Sequence, residues 1–102
     1  MEKVFICSPL KGDVQENIRR AKLYCHYVIS CGYLPIAPHV YFTALLNDND
    51  PKERQLGMTM GLELLKDCQQ LWIFGTVISE GMKVEIVEAG KLGIKIIKKE
   101  TN

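Results

Sequence analysis

The sequence lacks the features that assign a chain to membranes, secretion or nucleic acids. No apolar run approaches the roughly 20 residues that a membrane-spanning helix needs, and the start shows no signal-peptide pattern. Charge of one sign is not in excess, since the net charge is +1 over 102 residues. A balanced chain argues against a polyanionic partner. These absences predict a soluble, cytoplasmic protein that binds neither a membrane nor a nucleic acid polymer.

Metal-binding cysteine motifs are also missing. The four cysteines stand at positions 7, 25, 31 and 68, without a C-x-x-C pair and without histidines at zinc-ligand spacing. We therefore expect no metal site and four reduced, mostly buried thiols.

What the chain does contain is an alternation of β-prone and helical segments within a single domain over residues 1–102. Apolar residues make up 47% and charged residues 25%, an ordinary globular composition. Helix caps and stops and short apolar runs predict strands at 3–7, 33–37, 71–74 and 94–97, and helices at 13–32, 50–66 and 80–92. This order predicts an α/β fold, a flavodoxin- or Rossmann-like three-layer sandwich with a parallel sheet of about four strands. Strand two should form one edge and strand four the other.

A longer connection, residues 38–50, separates the second strand from the next helix. It contains the apolar stretch "HVYFTALL", which suits a helical turn, a lid or a contact surface. Together with a helix face carrying Gly57 and Gly61, it offers more apolar surface than a small monomer usually exposes. The sequence therefore predicts a homo-oligomer, at least a dimer.

Ligands of parallel α/β sheets bind outside the carboxyl ends of the strands. Three segments meet at that edge in the predicted fold: residues 7–13, residues from 38 onward, and residues 75–85. In the first, Ser8, Lys11 and Gly12 form a turn that enters a helix and suits an anion, although many β–α turns have this composition. His39 follows strand two, where it could contact a base or be structural. Cys7 with His39 would be a possible nucleophile pair, but no third orienting residue accompanies it.

The stretch "SEGMKVEIVEA", residues 79–89, opens the last helix at the same edge. Ser79 could be only a helix cap, Gly81 allows a ligand close to the backbone, and Met82 completes the candidate substrate-binding set. Glu85 should turn back toward the pocket mouth. On spacing alone it could equally be an ordinary surface glutamate, which is how we interpret Glu88.

The segments "FICSPLKGD" and "ISEGMKVEIVEAGKLGIKI" resemble the nucleoside 2-deoxyribosyltransferase-like superfamily, including the 2'-deoxynucleoside 5'-phosphate N-hydrolases. The resemblance implies that Glu85 is the catalytic nucleophile and that Lys11 and Gly12 form a phosphate-side turn. Ser79 matches a position that is serine in the N-hydrolases and aspartate in the transferases. It implies no cofactor, a small-molecule nucleotide or nucleoside as partner, and pockets completed by a neighbouring subunit.

One departure from that family pattern concerns the residue before strand three, usually an aspartate that assists the base. Gln69 stands nearest to this position and cannot act as an acid. Asp67, His39 or an acidic residue of the 47–50 segment could replace it, or activity could be lost. The preferred function is N-glycosidic cleavage or deoxyribosyl transfer on a nucleoside 5'-monophosphate. The alternative is a non-catalytic module that binds a nucleotide or an ADP-ribose-like ligand.

Overall fold

A computed structural model of the chain describes residues 1–99, in which four strands alternate with helices. The elements are β1 Lys3–Cys7, α1 Val14–Ser30, β2 Leu34–Ile36, α2 Pro38–Leu45, α3 Pro51–Leu65, β3 Gln70–Ile73, α4 Glu80–Lys91 and β4 Lys95–Lys98. No helix in these 99 residues combines the length and apolar character needed to cross a membrane.

The strands form one parallel sheet in the order β2-β1-β3-β4, with Phe5 of β1 opposite both Ile36 and Leu71. The predicted fold class and edge strands are therefore confirmed. Parallel strands end at the same side of a sheet, so the segments after β1, β2 and β3 meet at one edge. That edge carries the candidate site.

Residues of β1 alternate between two apolar layers. Phe5 and Cys7 pack on one face with residues that include Leu65 of α3 and Met82 of α4. Val4 and Ile6 pack on the other face, which α1 covers through Val28. A strand buried on both faces is typical of a sheet between two helical layers. This packing on both sides holds β1 in place, and its carboxyl end lies at the edge that carries the candidate site.

Side-chain caps begin the helices at the predicted places. Asp13 accepts a hydrogen bond from the backbone N–H of Glu16 at 3.2 Å, and Asp50 accepts from that of Lys52 at 2.9 Å. Pro51 occupies the first helical position of α3, where its missing N–H is no loss. These local signals explain why the helix starts were predictable.

The prediction of a connecting loop over residues 38–50 was incomplete, because residues 38–45 form α2. Pro38 begins this helix at a position that favours proline. A helix of eight residues is too short to be stable alone. Packing against α3 holds it in place. A Cβ added at Gly57 would lie 3.4 Å from the Leu46 side chain, and one added at Gly61 would lie 3.8 Å from Pro38.

This packing covers much of the surface on which the oligomer prediction was based. The Gly57 and Gly61 face of α3 meets α2 within the same subunit, although Leu45 and Tyr41 of α2 remain exposed. The oligomeric state stays a prediction.

The expectation of mostly buried thiols holds for two of the four cysteines. All four are free; Cys7 and Cys68 are buried, Cys25 is partly buried and Cys31 is exposed. Cys31 caps the C-terminus of α1, a position at the helix end that the sequence spacing alone did not identify as exposed.

Candidate functional site

A pocket of about 240 Å³ opens at the carboxyl edge of the sheet. Its walls come from the turn after β1, from α2, from one face of α3 and from the first turns of α4. Seven of the eight residues predicted for the site line it: Ser8, Lys11, His39, Ser79, Gly81, Met82 and Glu85. The fold thus brings together side chains from positions 8 to 85 of the chain.

Glu85 lies in the wall of this pocket on the second turn of α4. Desolvation by burial raises the pKa of its carboxyl group to about 8, and the nearby Cys7 thiol, which donates to the Met82 carbonyl at 3.8 Å, opposes part of that rise. Burial and the neighbouring Glu85 raise the pKa of Cys7, so the thiol stays protonated and can donate. No cation within residues 1–99 forms an ion pair with Glu85. The surroundings of Glu85 therefore favour the protonated form of its carboxyl group near neutral pH in the free protein.

Ser8 and His39 form a second polar pair beside Glu85. The Ser8 hydroxyl lies 3.0 Å from Nε2 of His39, and the pair joins the ends of β1 and β2. Burial lowers the pKa of His39 to about 4. The imidazole is consequently neutral at physiological pH, with one ring nitrogen available as a donor and the other as an acceptor.

Ser79 is the N-cap of α4, as its simpler interpretation predicted. Its Oγ accepts a hydrogen bond from the Met82 backbone N–H at 3.3 Å, while the Met82 sulfur accepts one from the Ser79 backbone N–H at 3.5 Å. A capping hydroxyl that accepts from the backbone still has its own proton to donate. Capping and ligand binding by Ser79 are therefore compatible.

Lys11 and Gly12 have different positions in the first turn. Lys11 is an exposed side chain on the pocket wall, and within residues 1–99 no carboxylate pairs with it. Gly12 has φ of +97° and is not part of the wall. We attribute Gly12 to turn geometry, because L side chains rarely adopt that φ.

Several lining residues were not among the predicted ones. The face of α3 contributes Arg54, Gly57, Met58 and Gly61, and the α2 side contributes residues that include Phe42 and Asp48. Spacings of three and four residues put the α3 set on one helix face. The two glycines were visible in the sequence, but their helix face was predicted to form an oligomer contact, and Arg54 and Met58 were not singled out.

Gln69 does not lie in the pocket. The prediction that it occupies the place of a base-assisting aspartate in the site was therefore wrong. Gln69 precedes β3, at the amino edge of the sheet, where its Oε1 accepts from the Lys3 backbone N–H at 2.7 Å. The pocket is at the opposite edge. Asp67 lies beside Gln69, whose side-chain amide donates to the Asp67 carbonyl at 3.3 Å. Asp48 and His39 remain as candidates to assist the leaving base.

Among the described residues, no group of three or more histidine, cysteine, aspartate or glutamate side chains is arranged to hold a metal ion. The chemical capacity of the pocket resides in the half-buried carboxyl group of Glu85, a neutral imidazole, three hydroxyls, two cationic side chains at its wall and a helix N-terminus.

Comparison with known proteins agrees with the fold. A family model described as a domain of unknown function, DUF7768, matches residues 2–99. No curated protein matches the sequence. The structure is similar to that of a 2-deoxyribosyltransferase from Bacillus psychrosaccharolyticus, with a TM-score of 0.73, 15% identity, and coverage of 98% of this chain and 77% of that one. It is also similar to a 2-deoxyribosyltransferase from Leishmania mexicana, with a TM-score of 0.67, 12% identity, and coverage of 100% and 66%.

Proposed function

The chain belongs to the DUF7768 family, and we propose that it cleaves the N-glycosidic bond of a nucleoside 5'-monophosphate or transfers its deoxyribosyl group. The observation that carries the proposal is Glu85, a half-buried carboxyl group with a raised pKa in the wall of a pocket at the carboxyl edge of the sheet, where no cation of residues 1–99 pairs with it. The fold that the chain shares with two 2-deoxyribosyltransferases supports it.

Glu85 reacts in its deprotonated form: its carboxyl group first releases its proton to solvent, and a carboxylate oxygen then attacks C1' of the sugar. The bond between C1' and the base nitrogen breaks, and its electron pair leaves with the base, which takes up a proton. The product is a glycosyl ester of Glu85, as in retaining glycoside hydrolysis. Attack of water or of a second base on C1' then releases the carboxylate.

Proton supply to the leaving base falls to groups that share the pocket. His39 is neutral, and its hydrogen bond with Ser8 fixes the ring beside the site. Asp48 lines the same pocket from the α2–α3 connection. Either group is a candidate to orient or protonate the base.

The 5'-phosphate is assigned to the entrance of α4. Ser79 has a free hydroxyl proton, Lys11 has no carboxylate partner in the described chain, and a helix N-terminus favours an anion. A serine at position 79 suits a phosphate, because it donates a hydrogen bond where an aspartate would repel the charge.

The test is Glu85→Gln, assayed for release of free base from a panel of nucleoside 5'-monophosphates and for binding by calorimetry. The amide keeps the shape of the side chain but cannot form the ester. We expect base release to disappear while the dissociation constant stays within about threefold of wild type. Glu88→Gln, one turn further along α4 and outside the pocket wall, is the matched control. Unchanged turnover in Glu85→Gln would end the catalytic proposal.

A second candidate is a non-catalytic module that binds a nucleotide or an ADP-ribose-like ligand. The pKa of Glu85, about 8, favours it, because a protonated carboxyl group is no nucleophile at neutral pH. Assays at pH 7 and pH 9 separate the two functions. An enzyme releases base faster at the higher pH, whereas a binding module releases none at either pH although ligand binding is saturable.

A further inference from the structure

The eight glycines of the chain divide by conformation and place. Four have positive φ and stand in turns: Gly12, Gly32, Gly75 and Gly93. The other four lie in helices: Gly57, Gly61, Gly81 and Gly90. All the helical glycines except Gly90 line the pocket. Turn geometry explains the first group and leaves the pocket glycines without an explanation.

Packing within the protein does not require glycine at these pocket positions. A Cβ at Gly57 would lie 3.4 Å from the Leu46 side chain, and one at Gly61 would lie 3.8 Å from Pro38. These are ordinary van der Waals distances. Alanine would also favour the helix, because glycine inside a helix loses more backbone entropy on folding. A methyl group at either position would stand between α3 and the pocket residues Leu46 and Pro38, so the glycines keep this part of the pocket wider at a cost to stability.

The shape of that space points to a flat ligand. Gly57 and Gly61 are four residues apart on one face of α3, and both stand in the pocket wall, Gly57 partly exposed and Gly61 buried. Met58 and Phe42 add apolar surface to the pocket, and the half-buried Glu85, which has no counter-ion in residues 1–99, lies in the same pocket. A planar ring that lies against this side of the pocket, near the Glu85 carboxyl group, fits this arrangement.

We propose that the Gly57–Gly61 face of α3 seats the heterocyclic base of the substrate and sets the largest base that the pocket accepts. This inference rests on the proposed function, since it names which part of the nucleotide lies against α3. The glycines leave room for the base because they have no side chain, and a methyl group at either position would reduce the length of pocket that the base can occupy. A fused purine ring loses more room than a single pyrimidine ring.

The experiment compares Gly57→Ala, Gly61→Ala and Gly90→Ala with wild type. Calorimetry gives dissociation constants for one purine and one pyrimidine 2'-deoxynucleoside 5'-monophosphate, and thermal unfolding gives Tm. We expect each pocket variant to bind the purine nucleotide at least about tenfold more weakly and the pyrimidine nucleotide within about threefold. All three variants should gain roughly 4–8 °C in Tm. Gly90→Ala, with open space at its Cβ, should leave both dissociation constants unchanged.

Several outcomes overturn the inference. Pocket variants that gain Tm and bind the purine nucleotide as wild type does would overturn it alone and leave the proposed function intact. A loss of Tm in both would show that packing requires the glycines, and an equal loss for both nucleotides would remove size selection. A wild-type protein that binds neither nucleotide would overturn the proposed function, and this inference with it.

Discussion

At the scale of single residues, Ser79 has one role that is observed and one that is proposed. Its hydroxyl caps α4 by accepting from Met82, and we propose that it also donates to the substrate phosphate. We expect Ser79→Ala to weaken binding of the 5'-monophosphate by roughly 1–2 kcal/mol and to lower the free energy of unfolding by about 1 kcal/mol. Binding of the unphosphorylated nucleoside should change little.

Substitution by another capping residue separates these roles. Aspartate caps a helix as well as serine does, so Ser79→Asp should keep the stability of wild type. It should nevertheless repel the phosphate and shift the preference toward nucleosides. Calorimetry with a matched pair of nucleotide and nucleoside checks this, and equal losses for both ligands would argue that residue 79 acts only as a cap.

The raised pKa of Glu85 makes stability depend on pH in a defined direction. Its pKa is about 8 in the folded protein against an ordinary value of 4.5. Between these values the unfolded chain has released a proton that the folded protein keeps, so the contribution of Glu85 to the free energy of unfolding falls as pH rises. Glutamine does not titrate. Glu85→Gln should therefore gain stability relative to wild type from pH 5 to pH 8.5, by on the order of 3 kcal/mol.

Urea unfolding at the two pH values measures this difference. His39, whose pKa is about 4 in the folded protein, has the opposite effect: its contribution to the free energy of unfolding falls as pH falls from 6.5 toward 4. That effect is present in wild type and variant alike and cancels in the comparison. Glu88→Gln is again the matched control, and a pH-dependent gain of equal size there would contradict the assignment to the pocket.

At the scale of elements, the sequence predicted what local signals encode. Caps at Asp13, Asp50 and Ser79 marked the helix starts, and continuous apolar runs marked the central strands. The missed helix α2 has no comparable signal beyond Pro38, because contacts with α3 stabilise it. Those contacts join residues that lie ten or more positions apart in the chain, which a pattern of local propensities does not record.

The candidate site likewise contains residues that the sequence predicted and residues that it did not. The residues on the β–α turns were predictable, because the topology of a parallel sheet brings its carboxyl ends together. Gln69 was misjudged because the comparison ignored the direction of β3. This strand runs toward the pocket, so a residue that precedes it lies at the opposite edge of the sheet. Arg54 and Met58 were missed because the wall that they form exists only once α2 and α3 pack together.

At the scale of the whole molecule, burial is distributed unevenly between the sheet and the pocket wall. Every residue of β3 and four of the five in β1 are buried. In contrast, Pro38 is the only buried residue of α2, and the buried residues of α3, Gly61 and Leu65, lie toward its C-terminal end. The free end of this wall, α2 with the first turns of α3, therefore rests on few buried side chains.

Local opening requires less free energy where little apolar surface is buried. We expect amide hydrogen exchange in β1 and β3 to be the slowest in the molecule and to report global unfolding, with exchange in α2 and the start of α3 at least about a hundredfold faster. A nucleotide held between this wall and α4 would link the two sides. Its addition should slow exchange in α2 and the start of α3 far more than in the sheet. Exchange in α2 as slow as in β3 without ligand would show instead that the wall is rigid before binding, and that the pocket is fully formed in the free protein.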